Sequence, residues 1–577
     1  MAGQKATFSV SASGAGLSYK WQKNGEDIDG AEQASYTTPV TVASDSGSHF
    51  QVIVSSSKSR VSSQAALLTV LTRIPADTAT FHGDAERTGQ NLNETVLTPA
   101  NVNPAGFGKI GFYSTDGLVD AQPLYLENVP VQGKGAHNVL YVVTEHDSAY
   151  AFDADTGTVL WKVSALGKGE TSSDPRDCGA ILVEIGIAQT PVIDRNRGPN
   201  GVMYLVAMSK DGSGNYYHRL HALDLVTGAE LFGGPTLIAG SYTGSGAGNQ
   251  GGNVVFDAKQ YKERSASLLT NGTLYLAWGS HCDAEPYTSW LMAYDPYSLQ
   301  QKSVLNLTPN GYGGGIWSVG ALAGDSAGNV YTVNGNGIFD TNLNSMGFPS
   351  SGNLANAYLK FSSSNGLQVA DYFAPSNTVA LSGIDFDLGS GSPLLLPDLK
   401  DSSNKVRHLM IGAGKDGTMY IVDRDAMGKF NPQTNNVYQE IDAAFPSGTW
   451  SGPAYFNNTV YYCAVADNIK AYAIEDARLS PNPVDEGQGP GYAYPGSVPT
   501  ISAHGTTNGL VWTSESASVG VLHAYNAASL SNELYNSFYQ PSRDGFGIGS
   551  KFIPPTVANG KVYVAATKGV AVFGLLH

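Results

Sequence analysis

The stretch "SAYAFDADTGTVLWKV", Ser148 to Val163, decides how the rest of the chain is read. Small and aromatic residues alternate up to Asp153, an Asp-x-x-Thr-Gly turn follows, and a second apolar run reaches Trp161. Period-two alternation on both sides of a Gly-containing turn predicts a β-hairpin. The hairpin recurs as "RLHALDLVTG" at 219–228, "WLMAYDPYSL" at 290–299, "AYLKFSSSNG" at 357–366, "TMYIVDRDAMG" at 418–428, "IKAYAIEDA" at 469–477, "VLHAYNAASL" at 521–530 and "GVAVFGLL" at 569–576. A hydrophobic strand precedes each copy ("NVLYVVTE", "VMYLVAMS", "TLYLAWGS"), and before that comes a short strand that often carries Pro ("AQPLYL", "SPLLLP", "PPTVAN"). The result is eight units. Their spacing of roughly 50 to 70 residues, with short strands throughout, predicts a β-propeller.

The last unit stops at His577 before an outermost strand can form, and "FGKIGFYST" at 107–115 is free to supply it. Joining both ends of the propeller in one sheet closes the ring and hides strand edges. The expected fold class is all-β: an immunoglobulin-like sandwich over residues 1–73, then an eight-bladed β-propeller over residues 74–577. The sandwich rests on "ATFSVSAS", on "LSYKWQKNG" with Trp21 ahead of an Asn-Gly turn, and on "SDSGSHFQVIVSS". Asp45-Ser46-Gly47 before Phe50 resembles the turn ahead of the penultimate strand in bacterial immunoglobulin-like repeats. Phe50 stands where those repeats have Tyr, the paired cysteines of antibody domains are missing, and the first strand reads as truncated. The start "MAGQKATFSV" enters a strand almost at once, so the expectation is an initiator Met on a trimmed chain whose export signal lies outside it.

Bulk properties narrow the function. With 68 Gly, 31 Tyr and 14% charged residues, the chain favours turns and strands over helices. The net charge of −16 repels phosphate backbones and gives no pull towards anionic membranes, so nucleic acid is excluded as a partner. No apolar run is long enough for a membrane span. Of three cysteines, Cys463 in "VYYCAV" reads as a small buried hydrophobe. Cys178 and Cys282 fall on loops of neighbouring units on one face, where a disulfide and two free thiols are both open.

The Asp153-to-Trp161 hairpin resembles the repeat of the PQQ-like propeller superfamily, which includes the quinoprotein alcohol dehydrogenases. The resemblance spans about residues 76–577 and is sharpest in the first two units. "RTGQNLNETVLTPANVN" is similar to secreted bacterial proteins that join such a propeller to immunoglobulin-like repeats. The resemblance implies an extracellular or periplasmic protein, PQQ at the propeller axis, Ca²⁺ held by Glu, Asn and Asp, and an Asp as base. It departs in one respect: those dehydrogenases commonly carry a vicinal Cys-Cys pair, and this chain has none.

Loop lengths choose the working face. Links between the first and second strands of a unit, and between the third and fourth, are tight ("ADTG", "LVTG"). On the opposite edge they lengthen, as at 168–187, 279–290 and 334–357. Long loops on a rigid scaffold carry binding and chemistry, which places the site on that face over units 1 to 5. Under the quinoprotein reading, Asp385 is the base, Glu184, Asn334 and Asp340 are metal ligands, and Trp317, Trp450, Lys415 and Arg543 border the cofactor. Asp387 and Asp177 stand on the same links. Glu145, Asp283 and Tyr287 are candidate substrate contacts. His146 or His281 with a carboxylate would instead serve a polysaccharide hydrolase or lyase. The main alternative, ahead of the hydrolase or lyase, is a non-catalytic scaffold that binds a glycan or a cell-surface or extracellular protein through Tyr287, Trp290, Tyr312 and Trp317. His221 and His523 lie inside third strands and read as packed core histidines.

Overall fold

The computed structural model describes residues 5–576 except 40, 69, 71–75, 132, 177, 180–182, 364–365 and 517–518. Asp177 therefore lies outside the described residues. The chain divides into two compact units, Met1–Pro75 and Ala76–His577. In the first, Thr7–Ser9 pairs with Ser35–Thr37, and Ser18–Lys23 and Ser48–Ser55 form the centre of a second sheet. Trp21, Phe50 and Val52 are buried, and the Phe8 and Phe50 rings stack at 4.5 Å.

The larger unit is nearly all-β. Among its described residues, eight sheets of four or five strands follow one another along the chain, antiparallel except where Lys429–Phe430 and Gln90–Asn91 add a parallel edge to the fourth and seventh. The first is Leu124–Val131, Gly135–Val143, Ser148–Asp153 and Val159–Ser164, each strand paired with the next. The last is Thr556–Ala558, Lys561–Ala566 and Gly569–Leu575, completed by Phe107–Ser114 from the far end of the unit. Consecutive sheets share apolar clusters. Leu126, Tyr141 and Trp161 pack with Met203 and Leu205 of the second sheet. Tyr563 and Val570 of the last sheet pack with Leu140 and Phe152 of the first. This is the layout of a β-propeller, in which each sheet buries its two faces against its neighbours.

The turn quoted above works through a side chain. Asp153 Oδ1 accepts hydrogen bonds from the Thr156 N–H (2.7 Å) and the Thr156 hydroxyl (2.9 Å). Asp224 does the same for Thr227, and Asp295 for Ser298. A short carboxylate caps the turn's own backbone, which is why the motif repeats. Trp161 then docks one sheet on the next, its indole N–H donating to Leu225 O at 2.9 Å. A Cβ on Gly228 would stand 2.8 Å from that ring, so only glycine fits there, at φ +70°.

The axis is occupied by polypeptide. From Thr78 to Asn91 the chain bonds the sheets in turn. Thr78 and Tyr125 exchange backbone hydrogen bonds at the first sheet, and Ile193 N–H donates to Ala79 O at the second. Gly324, Leu395, Tyr455 and Ile501, from sheets four to seven, donate to Ala85, Glu86, Thr88 and Gly89. Asn91 Nδ2 reaches Val557 O of the eighth. Arg87, 1% exposed, donates to Leu322 O (2.7 Å), Ser267 O (3.3 Å), Thr80 Oγ1 (2.8 Å) and Phe81 O (2.8 Å), which ties in the third and fourth sheets.

Arg87→Ala would strand these acceptors in a dry interior, where each unmatched group costs about 1–3 kcal/mol. Chemical denaturation of the variant is expected to show a loss of about 3 kcal/mol or more; a loss under about 1 kcal/mol would mean the axial segment is not a structural tie.

Candidate functional site

Above this axial segment lies a cavity of about 290 Å³. Trp317, Asp385, Asp387, Trp450, Tyr494, Lys551 and Phe552 reach it from links that lead into inner strands. Cys282, Asp283 and Lys415 reach it from links between second and third strands, and Lys262 and Arg264 from the entry to the third sheet. Phe81 of the axial segment packs in one apolar cluster with Val319, Val498 and Phe552, against which Trp450 also lies.

One wall is an ordered charge cluster. Lys415 Nζ lies 2.6 Å from Asp387 Oδ2 and 2.9 Å from Asp385 Oδ1. Asn336 supports both carboxylates, its N–H donating to Asp387 Oδ1 (2.7 Å) and its Nδ2 to Asp385 Oδ1 (2.9 Å). The ammonium stands 5.9 Å from the centre of the Trp317 ring. A Cβ on Gly335 would fall 2.4 Å from Asp387 Oδ1 and 3.0 Å from Trp317 Nε1, so this close approach requires glycine. Asp387 is 2% exposed, and burial raises its carboxyl to about 6 against the pull of Lys415. Burial opposes the charge on Lys415, but Asp387 and Asp385 outweigh it and hold the ammonium above the usual lysine value.

The other wall is cationic and poorly matched. Burial, with Arg264 alongside, pulls Lys262 down to about 8. Arg264 lies over the Phe552 ring at 4.3 Å and 3.7 Å from Asp120, yet its Nε and Nη2 find no hydrogen-bond acceptor among the described residues. Glu145 is buried close by; Gly186 N–H donates to its Oε2 at 2.7 Å, and burial together with Asp120 raises it well above the usual carboxylate range. Donors left open in a desolvated wall need an anion or water to complete them. Cys178 and Cys282 are joined in a disulfide that also lines the cavity, with Cα atoms 5.5 Å apart. Lys262 Nζ is 4.0 Å from Cys178 Sγ.

Of the residues named from the sequence, Asp283, Trp317, Asp385, Lys415 and Trp450 meet in this cavity. Tyr287 stands behind it, donating to Asp283 Oδ1 at 2.7 Å. His281 is buried in the adjoining sheet, lowered to about 4 by burial and then by Lys262. His146 is bonded to Glu184 at 3.1 Å, and neither lines this cavity.

The expected metal ligands do not meet. Glu184 is taken by His146. Asn334 is fully buried and serves its own sheet, donating to Leu354 O and accepting from Ala357 N–H. Asp340 caps a local loop through Asn342 N–H and Ser351 N–H. Among the described residues no group of three or more His, Cys, Asp or Glu is placed to hold a metal ion. Arg543 is also displaced from its expected role: it pairs with Asp544 at 2.7 Å and donates to Phe107 O, which fixes the outer strand of the last sheet. Lys262, Arg264, Lys551 and Tyr494 were not legible as site residues, because none belongs to the repeated hairpin or to a chemical motif.

No protein-family model and no curated protein matches the chain. Solved structures do. A quinohemoprotein alcohol dehydrogenase from Comamonas testosteroni superposes with a TM-score of 0.56 at 15% identity, over 87% of this chain and 80% of that one. A second, from Pseudomonas putida HK5, gives 0.54 at 14% identity over the same shares. A europium-containing methanol dehydrogenase gives 0.57 at 12% identity, over 87% of this chain and 99% of that one. The likeness is one of fold, a β-propeller.

The disulfide closes a loop of 104 residues between two sheets. Cys178→Ser is expected to lower stability by about 2–4 kcal/mol and to abolish the effect of dithiothreitol on the melting curve. A wild-type curve unchanged by dithiothreitol would show that the bond adds no stability.

Proposed function

We propose that the axial cavity is the active site of a quinoprotein-type oxidoreductase acting on an alcohol or sugar hydroxyl. The observation that carries this reading is the convergence, on one small cavity, of Lys262, Arg264, Lys415 and Lys551 with Trp317 and the buried carboxyl of Asp387. PQQ is a flat, tricarboxylated quinone. The open donors of Arg264 and the ammonium groups of Lys262 and Lys551 suit its carboxylates, and the indole of Trp317 suits its ring face. When bound, it supplies a two-electron acceptor for the substrate's C–H bond. The chain's own part is acid–base and electrostatic. Asp387, raised to about 6, is mostly ionised at neutrality, and its carboxylate can take a hydroxyl proton. Lys415 steadies the carboxylate, and Asn336 fixes its orientation. Asp387 suits the role of base better than Asp385, which is two-thirds exposed. The residues do not fit the Ca²⁺ part of the resemblance, and no step is routed through calcium.

We read the eight sheets as eight blades of one ring closed by Phe107–Ser114, and Met1–Pro75 as an immunoglobulin-like module. A disulfide across two blades favours an oxidising compartment, in keeping with an extracellular or periplasmic protein. An attached sandwich module in such a place fits a tether to a cell-surface or extracellular protein.

Titration with PQQ, followed by tryptophan fluorescence and by dye reduction with alcohols and sugars, tests the reading. Quenching that saturates, with turnover, is expected. Asp387→Asn should bind PQQ and lose turnover by a factor of about 10² or more. The pH profile of kcat/KM should rise through about 6 as Asp387 ionises and fall above about 8 as Lys262 loses its proton. Lys262→Met should remove the alkaline limb. Absence of PQQ binding would end the quinoprotein reading.

A further inference from the structure

A cavity of about 510 Å³ lies away from the axis, between the sixth and seventh sheets. His523, which the sequence places in a packed core, stands in its wall. Glu515 holds the imidazole at Nε2 (3.0 Å) and Glu533 at Nδ1 (2.7 Å). Burial works against its charge, but the two carboxylates outweigh it and raise the ring above the usual histidine value. Each carboxylate uses Oε1 for this bond, and Oε2 of each is left for another donor. The rings of Tyr492 and Tyr525 flank His523 at 5.6 and 6.1 Å. At the rim, Phe538 is 60% and Tyr539 65% exposed, while Asn468 and Gln488 contribute amides. No Lys or Arg lines this cavity among the described residues.

We infer that this cavity is a second site, separate from the axial one, that binds a neutral carbohydrate. The lining selects that class. An anion finds no cation other than an imidazole already shared by two carboxylates. A small cation would need acceptors alone, whereas the amides of Asn468 and Gln488 offer donors as well. Hydroxyl groups use both, and the apolar face of a sugar ring packs on exposed aromatic rings such as Phe538 and Tyr539. The link between the sixth and seventh sheets walls both cavities, with Tyr492 in this one and Tyr494 in the axial one. The inference does not rest on the oxidoreductase reading.

Saturation-transfer NMR of the full chain with glucose, galactose, N-acetylglucosamine and their β-linked disaccharides tests it. At least one sugar should bind, and the double variant Phe538→Ala/Tyr539→Ala should weaken it tenfold or more. Both side chains are exposed, so the variant should melt with the wild type; Gln488→Ala gives a second, milder probe, expected to weaken binding severalfold. Lys262→Met should leave sugar binding intact, which separates this site from the axial one. Three results would each overturn the inference: binding of none of the panel, equal binding by the wild type and the double variant, or saturable binding of tetramethylammonium in place of sugars.

Discussion

Sheets arranged radially leave a hole where their innermost strands face one another, and each of those strands presents backbone groups with no neighbour. A buried N–H or C=O without a partner costs about as much as a lost hydrogen bond. The segment Thr78–Asn91 answers this at every sheet, donating to or accepting from each in turn, with Arg87 serving the third and fourth. The same chain, a little further on, supplies Phe107–Ser114 to the last sheet. One stretch of polypeptide therefore both bonds the sheets in turn and completes the last of them. Everything built above it inherits its rigidity.

The axial cavity is what that rigidity makes possible. Asp120, Glu145, Lys262, Arg264 and Asp387 are all buried at or near it, and a flexible protein would let water in or let the groups move apart. Held in place, they shift one another: the carboxyls rise and Lys262 falls, each by loss of water around its charged form. Strongly perturbed groups that line one cavity mark functional sites more often than structural ones. The opposite edge of the sheets, where Asp153, Asp224 and Asp295 cap tight turns, carries the fold.

How much could be read beforehand follows from range. The repeated hairpin was legible because its cause is local: an Asp caps its own turn, and alternation places one face in the core. The missing outer strand at 107–115 was legible from pattern as well. Asp283, Trp317, Asp385, Lys415 and Trp450 could be found because all sit on the links of one edge, and topology alone brings those links to the axis. The metal triad does not assemble because its members are engaged elsewhere: Asp340 caps its own loop, Asn334 bonds Leu354 and Ala357 within its sheet, and Glu184 holds His146. Arg543 was misplaced because its partner, Asp544, is its neighbour, and both serve the closing strand. The Cys178–Cys282 bond and the unmatched Arg264 depend on distances between sheets, and the clamp on His523 on the register of three strands within the seventh, which no pattern in the sequence encodes.

The central claim is that the axial segment and the inner strands of all the sheets form one cooperative unit. Amide hydrogen exchange measures this directly. The N–H groups of Thr78, Ile193, Gly324, Leu395, Tyr455 and Ile501 should exchange at one slow rate, that of global opening of the propeller, together with strand amides such as those of Leu409–Ala413. Exchange within seconds of the amides that bond across to or from the axial segment, while those of Leu409–Ala413 stay protected, would contradict the account.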